Sequence, residues 1–436
     1  MILPDSIPAP VPTPSPAPIP DPVPPAAARK ETRSILLVVY NLVAMAALLG
    51  MAALMAFSTL VMMTRSLPGV EDLGSPLPNI LLAFALGFCG LLFIPVTIHS
   101  FRRMNGKADL PAALPPLRVW TILSILAVWI VAALAAQLVG WISSSWILLP
   151  PLAALGVGLP IYLLFRAGTG GLGLGSRQRA WSVFGLGLTA GPALASAVEL
   201  AAYLVALLVG SLLLALNPEW LAAFTQFAAQ LENAASMEQI LTAAAPYLTK
   251  PAVIALVLLA VSVFIPLAEE LVKPVGIWLL RKRPPTPQEG FALGVISGAG
   301  FALLESLIAM ASSDSDWGVA FLARVGGGVI HILNTGLMGW AIASFWKERR
   351  FGRLARTYGL VVFLHGLWNA LTVLTVVGGL RVLTSPNQMD LLGSGMMMAS
   401  ILGLGALAVG GLIALVVFNL RMRSKILTTN GQRINE

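Results

Sequence analysis

Runs of about 20 apolar residues recur along this chain, and a run of that length constrains a fold more than any other pattern. In helical form it covers the hydrocarbon core of a bilayer. Inside that core only helices and closed barrels satisfy their backbone polar groups internally. Such runs stand near residues 34–62, 78–100, 118–142, 146–165, 182–216, 251–280, 289–312, 317–346, 356–380 and 391–420. With 57% hydrophobic and only 11% charged residues, the sequence carries more apolar surface than a soluble core can use. The expected fold is all-α: a polytopic helical transmembrane protein of about ten spans.

The net charge of +8 suggests nucleic acid until the positions are read. Most of the 27 basic residues fall in alternate loops: Arg29, Lys30 and Arg33; Arg102, Arg103, Lys107 and Arg118; Arg166, Arg177 and Arg179; Arg281, Lys282 and Arg283; Lys347 to Arg356; and the tail from Arg421. The positive-inside rule then places both termini in the cytoplasm, and the partners of these charges are anionic lipids at the cytoplasmic face, not nucleic acid. Cys89 is the single cysteine, which excludes a disulfide framework and a cysteine metal site.

Five regions follow. Residues 1–33 form a Pro-rich cytoplasmic tail, extended and without the apolar core of a signal peptide. Residues 34–216 make an N-terminal transmembrane bundle, whose last span, 182–216, is too long to cross straight and must tilt, break or continue. Residues 217–250, with Trp220, Phe224, Phe227 and Leu231 at helical spacing, suit an extracytoplasmic amphipathic helix or covering loop. Residues 251–420 form a second transmembrane domain, which carries the polar motifs below, and 421–436 a basic cytoplasmic tail. Glu199 reads as a helix-packing contact. Gly168, Gly170 and Gly173 spell G-x-G-x-x-G between two spans, so they read as a flexible loop and not a nucleotide site.

Four polar motifs fall within apolar runs, where each charge at mid-helix costs about 2.5–3.5 kcal/mol and is functional by default. A-E-E-L-V-K-P places Glu269 and Lys273 one turn apart on one face, with Glu270 beside them. Pro266 and Pro274 deprive the carbonyls of Ser262 and Glu270 of their helical donors. In G-A-G-F-A-L-L-E, Glu305 ends a helix on which Gly290, Gly294, Gly298 and Ala302 recur every four residues, a stripe that lets a neighbour pack close. In H-I-L-N-T-G-L-M-G, His331, Thr335 and Gly339 share a face, and Gly326–Gly328 just before them permit close approach. Arg324 is read as a structural cation. In H-G-L-W-N, His365 and Asn369 share a face. The third histidine, His99, reads as interfacial.

In this order on successive spans, E-E-L-V-K, G-A-G-F-A-L-L-E, H-I-L-N-T-G-L-M-G and H-G-L-W-N resemble the PrsW family of intramembrane proteases, relatives of the CAAX-prenyl and bacteriocin-processing membrane proteases. The resemblance covers about residues 260–375, with Ser306 where the family pattern has Asn after the glutamate. It implies hydrolysis of membrane-anchored protein substrates in a prokaryotic plasma membrane, as regulated proteolysis of the kind some members perform on anti-sigma factors. It also implies roles. Glu269 would be the base toward water, with Glu270 and Lys273 setting its charge and position. Glu305 would hold the water or move the proton. His365 and Asn369 would donate to the oxyanion, and His331 would orient a partner or act as acid. No cofactor is required by that scheme. A zinc version with His331, His365 and Glu305 as ligands uses the same residues. Two other classes stay open: an ion-coupled transporter, which calls for inverted repeats that the two halves do not display, and a non-catalytic scaffold.

Overall fold

The computed structural model describes residues 32–65, 75–107, 109–140, 142, 145–234, 237–312, 316–384 and 390–434; most of the Pro-rich tail lies outside them. Among the described residues ten helices are long and apolar enough to cross a membrane. They comprise α1 (Thr32–Arg65), α2 (Leu77–Leu91) continued by α3 (Phe93–Met104), α4 (Val119–Val139), α5 (Leu149–Thr169) and α6 (Arg177–Leu188) continued by α7 (Ala190–Leu216). After α8 (Pro218–Glu232) and α9 (Met237–Leu248) come α10 (Pro251–Leu259), α11 (Ile265–Val272) and α12 (Val275–Trp278), then α13 (Pro287–Met310), α14 (Trp317–Glu348), α15 (Phe351–Leu383) and α16 (Leu391–Ile434).

The overlong span breaks at Thr189, between α6 and α7. Pro192 has no N–H to offer the carbonyl of Leu188. The Thr189 hydroxyl turns back to the Gly185 carbonyl at 2.9 Å and meets the Tyr40 hydroxyl at 2.6 Å, which fixes the break against α1. The stretch after α7 forms two helices, α8 and α9, joined through Phe227 and Tyr247 with ring centroids 4.6 Å apart.

The glycine-rich segment is ordered. Residues Gly173–Ser176 (β2) pair antiparallel with Pro111–Ala113 (β1), and Asn419 on α16 donates to the Gly168 carbonyl at 2.8 Å. Gly171 has φ +77°, a conformation that glycine adopts without strain, and its missing Cβ leaves room for the Arg423 side chain.

α13 and α14 are the centre, buried over most of their length while the outer helices turn Leu, Val and Phe outward. With no water to drive helices together in a bilayer, close van der Waals packing must do it. The glycine stripe supplies it. A Cβ on Gly298 would stand 2.8 Å from the His331 carbonyl oxygen, and one on Gly294 or Gly290 would collide with the backbone of Thr335 or Gly339. The face carrying His331, Thr335 and Gly339 is thus the face α13 packs on. Gly300, on another side of α13, meets the backbone of α6 at Phe184–Leu188 in the same way.

Candidate active site

Between α10 and α11 the chain makes a π-helical turn, Ala260–Phe264, just before Pro266. Two groups on α15 address that turn. Asn369 donates its amide to the Val261 carbonyl at 2.8 Å, and Gly366 lets the Ser262 carbonyl approach so closely that a Cβ would collide with it. The Val261 carbonyl thus finds its donor in protein, and the Ser262 carbonyl is packed against the α15 backbone. Asn369 is thereby engaged with backbone.

α11 ends at Val272, and Pro274 starts a new turn. Ser297 on α13 donates to the Lys273 carbonyl at 2.7 Å and ties this broken turn to the central helix. The Lys273 side chain is fully buried, and its ammonium gathers four groups. Glu269 Oε2, Glu270 Oε1 and His331 Nδ1 each stand 2.8 Å from Nζ, and His365 Nδ1 stands at 3.4 Å. The Phe301 ring centroid lies 4.7 Å from the same nitrogen, a cation–π contact on its apolar side.

An ammonium only donates, so Nδ1 of His331 is the acceptor and its proton sits on Nε2. That Nε2 faces Glu305 Oε2 at 2.8 Å, and the other oxygen of Glu305 lies 3.6 Å from Arg324, which thus pairs inside the protein. His365 uses Nδ1 toward Glu270 Oε1 at 2.9 Å, which leaves its Nε2 facing Glu269 Oε2 at 3.9 Å. The two imidazoles meet edge to face with centroids 5.2 Å apart.

Six of the seven side chains singled out from the sequence thus converge: Glu269, Glu270, Lys273, Glu305, His331 and His365. Asn369 stands one turn from His365 and serves the π-helical turn. Glu199 also arrives: from α7 its carboxyl comes beside that of Glu269. The sequence carried a signal for it, an acid alone in an apolar run, but not its neighbour. Lys273 and Glu270 have no exposed side-chain area, while Glu269 is 12% and Glu305 38% exposed, so the cluster opens to its surroundings at these two carboxylates.

The donor atoms also suit a metal. Glu269, His331 and His365 each offer one ligand atom, all within 4.8 Å of one another. Two imidazole nitrogens and a carboxylate oxygen are a zinc-type set. Glu269 Oε2 is buried with no well-directed hydrogen bond, an acceptor able to take a cation. The converging carboxylate is Glu269, whereas the sequence suggested Glu305; Glu305 stands behind His331, on the ring nitrogen turned away from Lys273.

The fold and this centre define a membrane-embedded protein that keeps ionised side chains and imidazoles at the crossing of its two innermost helices. Residues 183–404 match the PrsW family, described as intramembrane metalloproteases, and the chain belongs to that family. It is an intramembrane peptidase with a protein substrate. No curated protein and no solved structure gives a match.

Proposed function

We propose that this peptidase cleaves membrane-anchored proteins near or within the bilayer of a prokaryotic plasma membrane, with both termini cytoplasmic, using Glu269, His331 and His365 to hold a divalent metal. The observation that carries this reading is the pairing of each imidazole with its own carboxylate. Glu305 stands against Nε2 of His331 and Glu270 against Nδ1 of His365, so the remaining nitrogen of each ring is turned toward the Glu269 side. Carboxylate–histidine pairs of this kind fix tautomer and ring orientation in metal sites. Zinc, the metal this donor set favours, supplies a Lewis acid for the scissile carbonyl. Lys273 offsets the charge of the carboxylates, and Phe301 and Ser297 hold it in place. Glu305, standing against Nε2 of His331, holds that ring's proton and orientation and keeps Nδ1 as the inward-facing nitrogen. Asn369 positions α11 through the π-helical turn.

One observation favours a second reading, in which Glu269 itself activates water and no metal takes part. Lys273 Nζ stands 2.8 Å from both Glu269 Oε2 and His331 Nδ1, where a divalent ion would have to compete with it. Cleavage of a panel of single-span membrane proteins by the purified protein separates the two. Loss on chelation and return with zinc supports the metal site; loss in Glu269→Gln with indifference to chelator supports glutamate-activated water. Unimpaired cleavage by both Glu269→Gln and His365→Ala would overturn either reading.

A further inference from the structure

An apolar cavity of about 650 Å³ lies beside α13, walled by α2, α3, α5, α6 and β1. It is separate from the active site. Ile296, Ala299 and Leu303 face it, and at about 100° per residue they stand roughly opposite Gly298, Phe301 and Glu305. Most of its wall lies before residue 183, ahead of the segment that matches the peptidase family. Phe88, Leu92, Leu159 and Phe165 make that wall apolar, and a Cβ on Gly158 would meet nothing within 4 Å.

One end is cationic. His99 and Arg177 line it, and His99 also borders an adjoining depression formed with Arg102, Arg103, Lys107 and Asp109. Asp109 is the one acid among the described residues lining the two spaces, and it is committed. One oxygen takes Arg103 at 3.0 Å, and the other accepts the Gln178 backbone N–H at 3.2 Å. Arg102, Lys107 and Arg177 leave this end positive. Trp181 stacks on His99 with centroids 6.5 Å apart and lines the cavity just inside.

We propose that this is a binding site for one anionic phospholipid from the leaflet on the side of the basic loops, acyl chain in the cavity and phosphate against Arg177, Arg102 and Lys107. The size fits a small-molecule site, for which about 300–1,000 Å³ is usual. A helix 10–12 Å across fills about 400–600 Å³ per turn, so the space takes roughly one turn of a peptide helix and cannot seat a substrate span. Phosphate alone would leave the apolar volume unfilled, whereas an amphiphile satisfies both ends, with charge-assisted bonds from guanidinium to phosphate at the rim. The site would be occupied whether or not the peptidase is working.

The test uses the full chain in detergent, titrated with phosphatidylglycerol or phosphatidylcholine bearing brominated acyl chains. Quenching of Trp181 is read as the difference between wild type and Trp181→Phe. The expected result is saturable quenching at about one lipid per chain, with roughly tenfold tighter binding of phosphatidylglycerol, about 1.4 kcal/mol. Arg177→Gln should erase the preference between headgroups. Gly158→Phe, or Gly158→Leu should the larger side chain impair folding, should abolish the Trp181 signal while melting near wild type. Equal quenching in wild type and the filled cavity would mean annular lipid only. Equal affinity for both headgroups, or displacement of the lipid by an apolar helical peptide, would also overturn the proposal.

Discussion

Replacing Gly298 by alanine introduces a methyl group into the tightest part of the α13–α14 crossing. Built on the backbone, it stands 2.8 Å from the His331 carbonyl oxygen and 3.0 Å from both Ile332 Cα and Thr335 Cβ. Unstrained carbon contacts lie near 3.5–4.0 Å, so the helices must part locally by roughly 0.6–1 Å. Two of the three contacts are with backbone atoms, which cannot rotate away as a side chain can. Overpacking of this kind costs about 1–3 kcal/mol. The displacement also falls on His331, whose 2.8 Å approach to Glu305 crosses the same interface and whose 2.8 Å approach to Lys273 moves with it. A misplacement of about 1 Å at a reacting centre can lower a rate by roughly 10²-fold. Cleavage of a single-span substrate should therefore fall by about that factor, with a lower melting temperature. Gly210→Ala is the control: its Cβ meets nothing within 4 Å, and turnover should be unchanged. Gly298→Ala cutting within threefold of wild type and melting with it would refute the reasoning.

Other outcomes follow from the same geometry. Lys273→Met leaves two carboxylates beside an apolar side chain without their countercharge, and breaking a buried pair from one side costs about 3–5 kcal/mol, measurable as loss of folded protein on heating in detergent. Asn369→Ala removes the donor to Val261, at about 1 kcal/mol in stability, and should slow cleavage without changing metal content, as read by elemental analysis of the purified protein. Dialysis against a chelator should silence the wild-type enzyme, and zinc should restore it, while His365→Ala should retain less zinc at equal folding. At the start of α16, the Gly393 backbone N–H, then Arg381, hold the Asp390 carboxyl below its ordinary value. The anchorage is present above the ordinary aspartate range and is lost as pH falls through the depressed value, so amide exchange at 391–394 should rise only in strong acid.

The spans were legible because the length of an apolar run is dictated by the bilayer and survives any packing arrangement. The active-site cluster was legible for a related reason: an ionised residue in such a run needs a partner, and Glu269, Glu270, Lys273, Glu305, His331 and His365 find theirs largely among themselves. The glycine stripe on α13 announced a close-packed neighbour, but not that its partner would be the His331, Thr335 and Gly339 face of α14. What sequence could not supply was the rotation of one helix against another. That rotation makes Glu269, and not Glu305, the carboxylate converging with both imidazoles. It also brings Glu199 across from α7, after a break at Thr189 that no periodicity announces. Asn369 looked like a free donor because the backbone carbonyl that engages it is exposed only by the π-helical turn. The glycine-rich loop read as flexible because its order comes from β1 and Asn419, far away in sequence.

That π-helical turn also sets a phase. One residue more than an α-helical turn holds, about 100° of rotation, is absorbed between Leu259 and Ile265. Everything downstream in α11 is therefore dialled round relative to α10. Were residues 260–264 wound as regular α-helix with none removed, the span would be a continuous α-helix of unchanged hydropathy, still long enough to cross. Glu269 and Lys273 would then be swung by about a quarter-turn away from the two histidines. The chain would insert and pack as before over most of its length, yet with its carboxylates directed at lipid. The composition of that span makes it a membrane helix, and one surplus residue aims its charged face at the site.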